Sequence, residues 1–215
     1  MTALVVLAKE PVAGRSKTRL CPPLRPEQAA EVAEAALVTT LRAVSAAHAG
    51  RRVLALAGDP GPWLSPGFDV VRQRGGGGHA ERLAQAFEDV GAPAILIGMD
   101  SPQVTPTMLD RATELLSRPD TDAVLGPAED GGWWAIGLRR ADPRVFLGVP
   151  MSRPDTGRRQ LARLRALGLR TRLLQPLRDV DRFADAVAVA RTARGTPFAR
   201  TIERLTDAAH AAAAG

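Results

Sequence analysis

Tyrosine is absent from this 215-residue chain, cysteine occurs once and lysine only twice. The lone thiol, Cys21, excludes an internal disulfide and a multi-cysteine zinc site. The histidines, His48, His79 and His210, are scattered and show no metal-binding spacing. Aromatic residues make up 4 % of the chain, too few for the stacking platforms that bind single-stranded nucleic acid. Long hydrophobic runs are also missing, and the leading one, from Ala3 to Ala8, is far below membrane-spanning length. No basic segment precedes it, so it does not read as a secretory signal, and a cytoplasmic location is expected.

Hydrophobic residues are 45 % of the chain, enough to bury a core. The 29 basic and 23 acidic residues leave a net charge of +6. Arginine supplies 29 − 2 = 27 of the basic residues and is mixed with Asp and Glu along the whole length. That distribution argues against a nucleic-acid partner, and no membrane partner is expected from so short an apolar run. The positive balance favours small anionic molecules. Both lysines, Lys9 and Lys17, stand near the start.

Ala3-Leu-Val-Val-Leu-Ala8 reads as a buried strand. Pro26 can open a helix whose apolar spacing, through Val32, Ala36, Leu37 and Leu41, extends over 27–48. Further strands are expected over 53–57, 69–72, 94–98, 123–126, 133–138 and 170–174. Helices are expected over 79–90, 105–116, 155–167 and 183–191, and from 197 onward. This alternation predicts an α/β fold, with a mostly parallel sheet and a single domain over 1–207. The low-complexity, Ala-rich tail 208–215 is expected to fray. Ligands of such sheets bind beyond the strands' carboxyl ends, which points to the loops starting at Lys9, Gly58, Asp100 and Pro127.

Four segments could carry chemistry. From Leu7 the chain reads L-A-K-E-P-V-A-G-R-S-K-T-R-L, gathering Lys9, Arg15, Lys17 and Arg19 around Gly14. Such a cation-bearing turn suits phosphates, although an ordinary basic loop would read the same way. It is not a P-loop, because Ser16 replaces the glycine before Lys-Thr, and G-x-G-x-x-G is missing. In Gly98-Met-Asp-Ser-Pro102, Asp100 falls at the carboxyl end of a strand, where a carboxylate can hold Mg²⁺ beside substrate phosphates. Helix capping is the competing role, but Thr105-Pro106 already supplies a cap. Pro127-Ala-Glu-Asp-Gly-Gly132 is a turn that either faces a ligand or simply reverses the chain. Asp179-Val-Asp181 suits either a second metal contact or the cap of the next helix. The glycine run 75–78 either wraps a nucleotide or is only a loop. His79 reads as a surface residue, Glu81 and Arg82 as local caps or pairs, and Trp133 and Trp134 as packing.

In order and spacing, A-K-E-P-V-A-G-R-S-K-T-R-L, I-G-M-D-S-P-Q, P-A-E-D-G-G-W-W-A-I-G-L and D-V-D-R-F-A-D resemble the glycosyltransferase-A-like nucleotidyltransferase superfamily. Within it they resemble an uncharacterised bacterial subfamily of glycosyltransferase-A-like transferases. The chain is more distantly similar to 2-phospholactate and molybdenum-cofactor guanylyltransferases. The resemblance implies a Rossmann-like, three-layer domain with at least one antiparallel strand and a nucleotide over the sheet's carboxyl edge. It implies that the backbone at Leu7 and Ala8 meets the base. Lys9, Gly14, Arg15 and Arg19 would bind the nucleotide, and Lys17 and Asp100 would be catalytic. Asp100 would hold Mg²⁺ or Mn²⁺, with Asp181 as second ligand, and Asp130, Gly131 and Gly132 would line the acceptor side. The subfamily usually reads G-G-D-L-G-E-R-L where this chain has Gly75-Gly-Gly-Gly-His-Ala-Glu-Arg-Leu83. It often has Tyr at the position of Trp133 and Trp at that of Met151.

The implied reaction moves a nucleoside monophosphate from a triphosphate to a small acceptor, releasing pyrophosphate, with Lys17 offsetting phosphate charge. A glycosyltransferase using a nucleotide-sugar, and a non-catalytic nucleotide-binding protein, are the alternatives. The partners expected are a nucleotide and a small-molecule acceptor, and the expected assembly is a monomer or homodimer.

Overall fold

The computed structural model describes residues 1–74 and 76–214, with side chains to residue 208. Gly75, the first glycine of the run 75–78, and Gly215 at the end of the Ala-rich tail lie outside the described residues. Seven strands form one sheet: β1 (Ala3–Lys9), β2 (Arg51–Ala57), β3 (Asp69–Arg72), β4 (Ala94–Gly98), β5 (Ala123–Pro127), β6 (Trp133–Leu138) and β7 (Thr171–Leu173). Their order is β3-β2-β1-β4-β6-β5-β7, and β6 runs antiparallel to both of its neighbours. The helices are α1 (Pro26–Ala46), α2 (His79–Val90), α3 (Pro106–Ser117), α4 (Thr156–Ala166), α5 (Phe183–Thr192) and α6 (Pro197–Ala214).

Three layers follow from the period-2 alternation of strand side chains. Leu4, Val6, Leu54, Leu56, Ile95 and Ile97 face α1 and α3. Val5, Val53, Ala55, Leu96, Leu125 and Ile136 face α2 and α4. The strands are apolar on both faces because both faces are covered. The outer side of α1 then packs on α5 and α6 through Val32, Val189, Phe198 and Ile202. Phe198 N donates to Thr39 Oγ1 at 3.1 Å, fixing where α6 begins. The α6 backbone continues past residue 207 to Ala214, in keeping with alanine's high intrinsic helix propensity. No helix among the described residues is long and apolar enough to cross a membrane.

The edge strand β7 spans three residues and is clamped by Asp122. Its Oδ2 accepts from Arg170 N (3.0 Å) and Nε (2.7 Å), and Oδ1 accepts from Nη2 (3.0 Å). Hydrogen bonding from the Arg170 side chain, opposed by some burial, holds the Asp122 carboxyl down at about 2. A carboxyl whose folded pKa is depressed stabilises the fold above its unfolded value of about 4, and that contribution fades as pH falls towards 2. Asp122→Asn should therefore cost about 1 kcal/mol at neutral pH, after allowance for solvent screening. In urea melts the gap between variant and wild type should close by pH 2, and a gap independent of pH would refute the clamp.

Candidate active site

From β1 the chain passes to β2 and then β3 on one side, and it returns through α2 to β4 on the other. The connections leave β1 and β4 in opposite directions, so a crevice opens at their carboxyl ends. A cavity of about 750 Å³ occupies it. Because β6 is antiparallel, with Ile97 opposite Ala135, its first residue Trp133 lies at this same edge. The turn before it therefore faces Asp100 across the cavity. The parallel β5–β7 pairing, extended by a bridge between Ala128 and Leu177, brings residues 179–181 to the same edge.

The loop after β1 is braced internally. Ser16 Oγ accepts from Val12 N at 2.9 Å and donates to the Glu10 carbonyl at 3.2 Å. This gives Ser16 a use at the position where a P-loop has glycine. The next residue, Lys17, has φ 50° and ψ 37°, a left-handed conformation that costs a non-glycine residue about 1–2 kcal/mol. That turn aims the side chain inward, where it is 11 % exposed and Nζ lies 3.1 Å from Asp100 Oδ2. Nζ also donates to the Val180 carbonyl. Arg19 Nη1 meets Asp181 Oδ2 at 2.7 Å, so two contacts tie this loop to residues 180 and 181.

Asp179 is the acid that sequence reasoning placed no further than a pair with Asp181. Burial, then a hydrogen bond with the Asp130 carboxyl and that group's charge, push its pKa up to about 8; Lys17 opposes the rise and Asp100 adds to it. Asp179 thus feels Asp130, Asp100 and the Lys17 ammonium together. Asp130 Oδ1 also accepts from Gly132 N at 2.7 Å. Gly131, at φ +89°, approaches so closely that a Cβ would lie 1.8 Å from the Pro154 carbonyl oxygen. Gly157 N donates to the Gly131 carbonyl at 2.7 Å, pinning the turn to the start of α4.

On the other face of the sheet, Leu7, Leu83, Trp133 and Met151 form the cavity's apolar flank. His79 and Arg82 line the cavity there. Burial in the cleft, followed by the charges of Arg82 and Lys9, lowers the His79 pKa. Gln73 Nε2 donates to the Ala8 and Ala55 carbonyls, both at 2.8 Å, bridging the ends of β1 and β2.

Of the residues singled out from the sequence, Leu7, Ala8, Lys9, Arg15, Lys17 and Arg19 line the cavity, as do Asp100, Asp130, Gly132 and Asp181. Gly14 and Gly131 do not; Gly14 supplies a turn at φ +74° in open space, and Gly131 is the packing contact just described. The carbonyls of Leu7 and Ala8 already accept from Met99 N and Gln73. Asp181 does not cap α5, since Asp185 Oδ2 accepts from Arg182 N at 2.9 Å instead. Asp100 likewise leaves α3 to Thr105, whose Oγ1 accepts from Met108 N at 3.3 Å.

The profile of DUF2064, described as an uncharacterized protein conserved in bacteria, matches residues 30–153. The chain belongs to that family. The match takes in Asp100 and the Asp130–Gly132 turn, whereas the Lys17 loop and Asp179 lie outside it. No curated protein matches this DUF2064 chain. A crystal structure from Desulfovibrio desulfuricans G20, provisionally described as a nucleotide-diphospho-sugar transferase, is 26 % identical with a TM-score of 0.83, covering 96 % of this chain and 95 % of that one. Rv0371c from Mycobacterium tuberculosis H37Rv, complexed with manganese, is 25 % identical with a TM-score of 0.52 over 87 % and 96 % of the two chains. CMP:2-keto-3-deoxy-manno-octonic acid synthetase complexed with CTP is similar in fold, with 15 % identity, a TM-score of 0.50 and coverage of 86 % and 95 %. The DUF2064 chain therefore has the nucleotidyltransferase-like α/β fold that its sequence resembles.

Proposed function

We propose that this DUF2064 protein is a nucleotidyltransferase, moving a nucleoside monophosphate from a triphosphate to a small acceptor. The observation that carries the reading is the Lys17 ammonium held against Asp100 in the β1–β4 crevice, with Arg15 and Arg19 beside it. An acceptor oxygen would attack the α-phosphorus. The bond to the β-phosphate bridging oxygen would break, and pyrophosphate would leave with that electron pair. A hydroxyl acceptor would give up its proton to a carboxylate at the site or to water. Lys17, Arg15 and Arg19 would offset the charge that builds on the phosphates.

Among the described residues no cluster of three or more side chains forms a ready metal cage. Magnesium does not need one, since it takes one or two carboxylates and completes its shell with phosphate and water. Asp100, with Asp179 or Asp181 nearby, fits that demand, and the manganese complex of Rv0371c supports a divalent ion. Such an ion would neutralise phosphate charge.

Likeness to the D. desulfuricans protein favours a second reading, sugar transfer from a nucleotide-sugar, with Asp130 as base. Thermal shift with a panel of nucleoside triphosphates and nucleotide-sugars in Mg²⁺ separates the two. A triphosphate at a hundred times its Kd adds about 2.7 kcal/mol, a Tm rise of roughly 5–10 °C for a chain of this size. Pyrophosphate should appear once an acceptor is added. Stabilisation by a nucleotide-sugar alone would overturn nucleotidyl transfer.

A further inference from the structure

The two ends of the cavity differ in charge. On the α1–α5 side, Asp100, Asp179 and Asp181 accompany Arg15, Lys17 and Arg19, and both Lys17 and Arg19 are paired with acids. On the α2–α4 side the lining holds Arg82, Arg153 and His79, with Lys9 close enough to act on His79. Neither arginine there forms a salt bridge among the described residues, whereas Arg51, Arg144, Arg170, Arg172 and Arg178 each pair with an acid. Arg82 Nε is buried without a hydrogen-bond partner, and the nearest bond of its guanidinium is a long one, 3.5 Å to the Gly77 carbonyl. The acid next to Arg153, Asp155, is held by Arg159 at 2.6 Å. The Arg153 backbone is fixed, because its N–H donates to Thr156 Oγ1, which in turn donates to the Pro150 carbonyl, both at 3.0 Å. A buried donor left without a partner is destabilising, and Arg82 lines the cavity, where an incoming acceptor group would meet its guanidinium.

Resting on the transferase reading above, we propose that the α2–α4 end is the acceptor subsite. There Arg82 and Arg153 grip an anionic group, phosphate monoester or carboxylate, on the acceptor. The forked guanidinium matches both anions in two-bond geometry. Trp133 and Met151, on the apolar flank, would take the carbon skeleton. Behind the larger effect of burial, the charges of Arg82 and Lys9 also lower the His79 pKa, and the same positive charge would draw the anion in. The nucleotide's phosphates would use the separate set Arg15, Lys17 and Arg19.

Three probes that share a glycerol-derived skeleton test this: glycerol 3-phosphate, glycerate and glycerol. Ligand-observed NMR titrations would be run on the full chain as wild type, Arg82→Gln, Arg153→Gln and the double variant Arg15→Gln/Arg19→Gln. Either charged probe should bind the wild type while glycerol does not, and the tighter of the two identifies the anion. Arg82→Gln and Arg153→Gln should each weaken the charged probe at least tenfold, whereas the double variant should hold it within threefold. Arg153 is exposed, so its variant remains informative if Arg82→Gln misfolds. Absence of anion binding in wild type, or binding lost in the double variant but kept in the other two, overturns the subsite. Triphosphate titrations on the same proteins separate the claims. Arg82-dependent glycerol 3-phosphate binding without triphosphate binding would sink the transferase reading and leave the anion subsite standing. The reverse pattern would sink only the subsite.

Discussion

Replacing Asp100 with asparagine is expected to lower turnover about a thousandfold while leaving the fold intact. The side chain is 48 % exposed at the end of β4, and its carboxylate is the one that meets Lys17. Asparagine keeps the volume, so neither a cavity nor a clash arises. What it removes is the negative charge, and with it the anchor for a divalent ion and the partner that holds the Lys17 ammonium in place. Both losses fall on phosphate charge that develops during the reaction, which is why the effect should appear in kcat more than in KM. The measurement is pyrophosphate release with the best triphosphate and acceptor, beside triphosphate affinity with and without EDTA. Wild-type affinity should fall on chelation, and the variant's should already be low and insensitive to it. Turnover within tenfold of wild type would remove Asp100 from the mechanism. Triphosphate affinity that resists both EDTA and the substitution would instead support a nucleotide-binding protein without transfer chemistry.

Much of the frame is legible in the sequence because its signals are local. β3, α2, β4 and β6 coincide with the expected segments residue for residue, each being a periodic run bounded by glycine, proline or polar turn residues. That a cavity opens at the sheet's carboxyl edge also agrees with what the α/β alternation alone implies. The site was only partly legible, because its decisive features are long-range. Asp179 and Asp181 look alike in sequence; only the seating of residues 174–181 beside β5 directs Asp179 towards Asp130 and Asp181 towards Arg19. Gln73 follows a weak edge strand, and its role depends on two carbonyls it meets only after β1 and β2 pair. His79 and Arg82 read as local, solvated residues because no helical periodicity reveals that α2 opens onto a cavity. Gly131 read as a ligand-facing glycine, whereas the close approach of Pro154 is what requires it.

Exchanging Lys17 for arginine should cost about a hundredfold in turnover although the charge is kept. The left-handed backbone at residue 17 is equally strained for both side chains, so stability should change little on that account. The difference lies at the tip. Lys17 Nζ is a compact donor, 11 % exposed at the side chain, that reaches Asp100 and the Val180 carbonyl from one point. A guanidinium is planar and broader, and it spreads the same charge over a fork that cannot meet both oxygens from that position. It would press into the space around Asp100 and Asp179, shifting the acids as well as the cation. Fixed charges displaced by about an ångström lose much of their catalytic effect, because their value depends on being in place before the phosphate charge develops. The loss should therefore appear in kcat, with triphosphate affinity falling less, since Arg15 and Arg19 remain. A double variant, Lys17→Arg with Asp100→Asn, should be little worse than Asp100→Asn alone if the two groups act as a unit. Wild-type rates in Lys17→Arg, or fully additive losses in the pair, would show that the chain's second lysine is only one more basic residue.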